Sequence, residues 1–163
     1  MLASLALAVT AVQAAAPPVN TEFDFWVGKW SSEGRMRSAP GKDEWTVTKG
    51  TNIIKKQLKN QVIEENFSMT GFAGRSWTMY HAPSKTWRQT WVDDSGAYLT
   101  FTGGWNAETK QMILTQTFPQ RGEQFSRMVF RDFTKTGFTW DWQLSTDNQK
   151  TWETQWLLTY KRK

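Results

Sequence analysis

Glu65, Arg75, His81 and Gln89 are the residues of this chain whose types and spacing could do chemistry, because they interrupt runs of large apolar side chains that include Trp77, Trp87 and Trp91. A carboxyl, a guanidinium and an imidazole on one aromatic surface could orient a polar head group or carry out acid and base work. Burial alone would raise the pKa of the carboxyl, whereas pairing with Arg75 or a protonated His81 would lower it. Whether these groups meet depends on strand register. Alternate residues of a strand share a face, so Ile63, Glu65, Phe67 and Met69 lie together. If Thr70 to Gly74 form a five-residue loop, Glu65 opposes Met79 and lies diagonally beside Trp77 and His81, about 7 to 8 Å from each between α-carbons. In the next hairpin an odd loop puts Trp77, Met79 and His81 on the face of Trp87, Gln89 and Trp91, and an even loop separates the two sets. The odd loop keeps the large apolar residues together and is the expectation. A three-residue loop ending at Gly96 then pairs Trp91 with Leu99 and Gln89 with Phe101.

The same residues also have a purely structural account, in which Glu65 and Arg75 form an internal pair and His81 caps the turn before Pro83. Gln116, between Leu114 and Phe118, and Thr154, between Trp152 and Trp156, are further polar residues expected to face inward. Other catalytic patterns fail. Glu64 with Glu65 and Asp93 with Asp94 are neighbours, which point to opposite faces of a strand, and Asp141 should point away from Trp140 and Trp142. A single histidine with scattered carboxylates is a poor metal site. The absence of cysteine removes disulfides, thiolate catalysis and zinc fingers together. No nucleophile elbow or phosphate loop occurs, and Gly103-Gly104 reads as a strand bend. Neither a metal nor a cofactor is expected.

The elements that must position these residues are strands. Eleven of the 163 residues are Trp, and many are spaced by two, the period of one strand face. Turn chemistry such as Ala39-Pro40-Gly41-Lys42, Gly71-Phe72-Ala73-Gly74 and Asp94-Ser95-Gly96 divides the chain into ten predicted strands. They span 29–38, 44–57, 61–69, 75–82, 87–93, 97–105, 111–118, 124–134, 137–145 and 151–160. Short antiparallel strands joined by tight turns predict a meander, and closing it into a barrel removes its exposed edges. Trp140, Trp142, Trp152 and Trp156 are assigned to its general packing.

Residues 1–16 carry no charge, hold an apolar run from Leu2 to Val12 and end in Ala14-Ala15-Ala16. This pattern predicts a signal peptide, too short to span a membrane, and therefore an exported protein, periplasmic or secreted, with the mature domain over residues 17–163. The formal net charge of +5 belongs to that domain, where Lys and Arg are scattered over turns and outward positions. That distribution fits a solvated surface, and with no RNA-recognition signature a nucleic-acid partner is not expected.

Phe23-Asp24-Phe25-Trp26-Val27-Gly28-Lys29-Trp30 resembles the Gly-x-Trp opening of the calycins, the barrel group that includes lipocalins, fatty-acid-binding proteins and nitrobindins. The Asp-Phe-Trp-x-Gly-x-Trp segment is more closely similar to a bacterial lipocalin-like family classed as a domain of unknown function, and Arg88-Gln89-Thr90-Trp91-Val92-Asp93 with Ser95-Gly96 resembles that family's second recurring segment. The resemblance implies a single all-β, ten-stranded antiparallel up-and-down barrel, with Gly28 at a close chain crossing and Trp30 plugging the base. The carboxylate-holding Arg-x-Tyr of fatty-acid-binding proteins has no counterpart in Leu157-Leu158-Thr159-Tyr160-Lys161, and no histidine follows His81 to serve as a nitrobindin-type haem ligand.

The reading that follows is a barrel that binds a small hydrophobic or aromatic molecule inside, with Glu65, Arg75, Trp77, His81, Trp87, Gln89 and Trp91 as candidate ligand-binding residues. Two alternatives remain open. One is a barrel enzyme (an isomerase, cyclase or dehydratase) using Glu65 and His81 on a hydrophobic substrate, and the other is a barrel packed solid by its aromatics that acts through its surface.

Overall fold

Strands of six to thirteen residues separated by short turns pair hairpin by hairpin, and in this chain the pairing runs full circle. A computed structural model describes residues 19–163; the expected signal peptide at residues 1–16 lies outside them. The strands are β1 (Gly28–Arg37), β2 (Trp45–Gln57), β3 (Val62–Met69), β4 (Phe72–His81), β5 (Thr86–Asp93), β6 (Tyr98–Asn106), β7 (Gln111–Gln116), β8 (Phe125–Arg131), β9 (Gly137–Ser145) and β10 (Glu153–Arg162). Each is antiparallel to its chain neighbours, and β1 pairs with β10 from Trp30↔Arg162 to Met36↔Trp156, giving a closed ten-stranded up-and-down barrel. Every strand therefore has a partner on both sides, and no edge is left to template aggregation.

The predicted strands match these ten in number and order. Their ends shift by a few residues, and the shift that matters is at β4. The turn before it is only Thr70-Gly71, with Gly71 at a φ of +73°, and Phe72 already opposes Met69. Among the described residues no helix is long and apolar enough to cross a membrane.

One end of the barrel is sealed by aromatic packing. The chain enters through a single 3₁₀ turn, Asp24–Trp26. Phe23 lies 5.2 Å from Trp26, 5.2 Å from Trp87 and 5.3 Å from Phe130, mostly in tilted or edge-on contacts that suit aromatic quadrupoles. Trp30 donates its indole N–H to the Trp26 carbonyl at 2.8 Å, so the plug is hydrogen-bonded to the wall of the barrel. The Arg162 guanidinium lies 4.4 Å over the Trp30 ring and donates to the Val27 carbonyl at 3.3 Å. Gly28 sits between them at a φ of +147°, and a β-carbon there would come within 2.6 Å of Arg162 Nη1. The positive φ is what calls for glycine here, since the end of the Arg162 side chain could shift to admit a β-carbon.

Replacing Trp30 with Phe removes a buried donor and leaves the Trp26 carbonyl unpaired beside a void. The expected loss is about 2 to 4 kcal/mol in urea denaturation, and an unchanged midpoint would show that the plug is not anchored through this indole.

Candidate functional site

The register of β3 with β4 decides what the barrel encloses. Glu65 opposes Ser76, Phe67 opposes Gly74 and Ile63 opposes Thr78. The even residues of β4 therefore face inward and Arg75, Trp77, Met79 and His81 face outward, the reverse of the expectation. The physical reason is the two-residue turn in place of a five-residue loop, since an odd change in loop length moves a strand's entire side-chain set to the other face. The next connection holds four residues, with His81 opposite Thr86, so it is even rather than odd. Arg75 is exposed, and Trp77 and Met79 are each 45% exposed. His81 bonds through Nδ1 to Ser84 Oγ at 2.7 Å at the start of the 3₁₀ turn Ala82–Ser84, but its side chain makes no capping bond to the turn's backbone, so it is not the expected cap. An ion pair between Glu65 and Arg75, and a Glu65–His81 acid–base dyad, are both ruled out by the wall between them.

Trp87, Gln89 and Trp91 point inward, and the expected pairings Gln89↔Phe101 and Trp91↔Leu99 are present. Gln116 also faces inward, its side-chain oxygen accepting from the Ser126 amide at 3.3 Å. Thr154 does not, because a bulge between Thr154 and Trp156 pairs it with outward-facing Gln143. Asp141 points outward as expected, where it is nonetheless buried beneath the Arg131 guanidinium, which donates to it at 2.6 and 3.3 Å.

Glu65, 7% exposed, is the centre of a polar belt that crosses six consecutive strands of the closed sheet. Asn52 Nδ2 donates to one carboxyl oxygen at 2.7 Å and Ser76 Oγ to the other at 2.6 Å. Asn52 also reaches the Tyr160 hydroxyl at 3.4 Å, and Ser32 lies opposite Tyr160 on the neighbouring strand. Gln89 donates to Thr78 Oγ1 at 2.9 Å and extends the belt to β5. Burial pushes the Glu65 carboxyl up to about 7, with the Ser76 and Asn52 hydrogen bonds opposing the shift. The Tyr160 phenol is also raised, by burial first and by the neighbouring Glu65 charge second. Among the described residues, Ser32 Oγ, Asn52 Oδ1 and Gln89 Oε1 are buried without a hydrogen-bond partner.

Above the plug the barrel contains a cavity of about 410 Å³. Glu65 and Tyr160 form its polar wall, while Phe67, Phe72, Trp91, Phe101, Trp140, Trp142 and Trp156 provide apolar and aromatic wall. Trp140 and Trp156 meet edge to face at 5.4 Å, and Trp91 stacks near Phe72 at 6.2 Å. Trp91 fits closely against β4 because position 74 is glycine: a β-carbon there would lie 2.1 Å from the indole ring. Three tryptophans assigned from sequence to general packing thus line the cavity. Trp152 instead lies outside, under the Arg127 guanidinium at 4.2 Å. The mouth is formed by Arg37, Ser38, Pro40, Asp93, Gln120 and Gln155 at the turn-rich end. The interior is therefore not packed solid.

Sequence reasoning missed Asn52, Ser76, Thr78 and Tyr160. The available signal was alternation: Thr48, Asn52 and Ile54 share a strand face, as do Ser76, Thr78 and Tyr80. Among the described residues no group of three histidine, cysteine or acidic side chains could hold a metal ion. The fold and cavity define a closed β-barrel with an internal, mostly aromatic chamber. No protein-family model matches the chain, and no curated protein matches it significantly.

Because the Glu65 pKa is raised from 4.5 to about 7, the folded state binds more protons than the unfolded chain between those values. Glu65 therefore contributes a stability loss that grows as pH rises from about 4.5 to about 7 and is then constant. Glu65→Gln keeps the size of the side chain without the charge, its oxygen accepting from Asn52 while its amide donates to Ser76 Oγ, which can accept. Its stability should exceed that of the native protein by an amount on the order of 3 kcal/mol at pH 8 and converge toward it below pH 5, and parallel urea-stability profiles would refute the burial of this carboxyl. Trp77→Ser on β4 should cost about 1 kcal/mol and Trp87→Ser on β5 about 3 kcal/mol or more. Equal costs would contradict the observed facing of the two residues.

Proposed function

We propose that this barrel is an exported binding protein that holds a small, predominantly apolar or aromatic molecule in its interior. The observation that carries this reading is the combination of a cavity of about 410 Å³ with an aromatic wall and a deep cluster of polar groups around Glu65. Apolar contact supplies the affinity in such a site, and a few fixed polar atoms supply orientation. The sealed base leaves the turn-rich end as the way in. The ten-stranded meander and the Gly28–Trp30 crossing support a calycin-like relationship, and the uncharged apolar segment at residues 1–16 supports export. Of the candidate residues, Glu65, Trp87, Gln89 and Trp91 remain in this reading, with Tyr160, Trp140, Trp142 and Trp156 added; Arg75, Trp77 and His81 are removed from it by their outward position.

The test is a titration with N-phenyl-1-naphthylamine, a neutral hydrophobic dye, followed by dye emission and by quenching of Trp fluorescence. Saturable binding is expected, and Leu99→Trp, which fills part of the cavity, should weaken it by tenfold or more in a protein of native circular dichroism. No saturable binding, or binding indifferent to Leu99→Trp, would overturn the proposal.

A further inference from the structure

The polar groups of the cavity are matched to one kind of ligand head. We infer that the chamber takes a hydrophobic amine, an apolar body whose protonated amino group is set against the Glu65 carboxylate. This rests on the reading of the barrel as a binding protein and specifies its ligand.

The first line of argument is the inventory of charge. Strand alternation turns few ionisable side chains inward, and the cations among them are already engaged. Lys56, near the sealed end, is held by Asp24 at 2.7 Å. Arg162 lies over the Trp30 ring and donates to the Val27 carbonyl. Arg37, at the mouth, faces Asp43 at 3.7 Å and Glu153 at 3.6 Å, and donates to the Thr154 carbonyl. Asp93, also at the mouth, accepts from the Trp91 indole and from Ser95. Glu65 differs from all of these. Its partners are two neutral donors, Asn52 and Ser76, and among the described residues no cation bonds to it. Its raised pKa is the behaviour of a buried carboxyl that lacks a positive neighbour.

The second line is the kind of hydrogen-bonding capacity left over. Asn52 uses its amide N–H groups on Glu65 and Tyr160, and its carbonyl oxygen remains without a partner; Ser32 Oγ, in the same belt, also has none among the described residues. Asn52 and Ser32 do not line the chamber, but Glu65 does, and with one donor on each of its carboxyl oxygens the lone pairs left over suit a ligand that donates. An ammonium group donates three hydrogen bonds and accepts none.

The third line is the wall. Trp91, Trp140, Trp142 and Trp156 share the chamber with Glu65, and the faces of indole rings attract cations, more strongly when the cation is removed from water. A fatty carboxylate meets the opposite conditions. It would bring a second negative charge toward Glu65, and among the described residues no unengaged cation lines the chamber to receive it. A neutral alcohol could donate one hydrogen bond but would not neutralise the carboxylate.

Competition against bound N-phenyl-1-naphthylamine at pH 8 by octylamine, octanol and octanoate, which share one chain length, tests the inference. Octylamine should displace the dye at a concentration at least tenfold below octanol, with octanoate weakest. In Glu65→Gln that advantage of octylamine over octanol should shrink to threefold or less. Octanol or octanoate equal to or better than octylamine, displacement by none of the three, or an amine preference that survives in Glu65→Gln would each overturn the assignment while leaving the dye-binding chamber intact. Failure of the dye itself to bind would remove the chamber reading and the amine with it.

Discussion

The contact on which the rest of the molecule depends is the clamp at the sealed end, where the Trp30 indole donates to the Trp26 carbonyl and Arg162 covers the Trp30 ring. It joins the entering segment and the first strand, neighbours in sequence, to the last strand at the far end of the chain. A meander of ten strands has two free edges until its ends meet, and a twisted sheet can close only with strand tilt and stagger in agreement. Here the β1–β10 pairing satisfies the backbone, and the clamp fixes where along the two strands they meet. Phe23, Trp26 and Phe130 then fill the base. Because that filling is confined to one end, the opposite half of the barrel keeps its volume.

Within that volume the structure tolerates a tension. A carboxyl removed from water is costly unless hydrogen-bonded, and a partly satisfied polar network costs more than an apolar one. The interior nevertheless holds Glu65, with Asn52 and Ser76 placed by the two neighbouring strands to bond it and Tyr160 by a third to bond Asn52. The remaining members of the belt, Ser32, Thr78 and Gln89, are small or neutral. An inward-facing network of this extent contributes little to stability by itself, which is the physical ground for reading it as functional.

The architecture was legible in the sequence because two local signals agreed. Period-two alternation marked the strands, and Gly, Asp, Asn and Pro marked the turns, so ten strands in meander order followed directly. The site was less legible, and β4 shows why. Trp77 and Met79 are large and apolar, and Ser76 and Thr78 are small and polar, so the usual ranking of burial sends the first pair inward. The register set by Thr70-Gly71 does the opposite. In a barrel that encloses a polar-lined chamber, the inside of a strand can be the more hydrophilic side, and the outer face can carry Trp beside the aliphatic stems of its neighbours. Pattern alone cannot tell these cases apart, since both alternate with the same period. On β5 and β6, where inside and apolar coincide, the pairings Trp91↔Leu99 and Gln89↔Phe101 follow from the sequence. Arg75 and His81 were drawn into the candidate site only through the misplaced register, and they leave it together.

The polar belt occupies β10, β1, β2, β3, β4 and β5, whereas β6 to β9 present mainly Leu99, Phe101, Leu114, Met128, Trp140, Trp142 and Leu144 to the interior. Apart from Gln116 and Ser126, the inward polar groups and the large apolar side chains thus sit on separate arcs of one continuous sheet. Substitutions that enlarge or narrow the apolar arc leave the hydrogen bonds around Glu65 in place, so under the proposed binding role the bulk of the ligand could change while the same polar handle is kept.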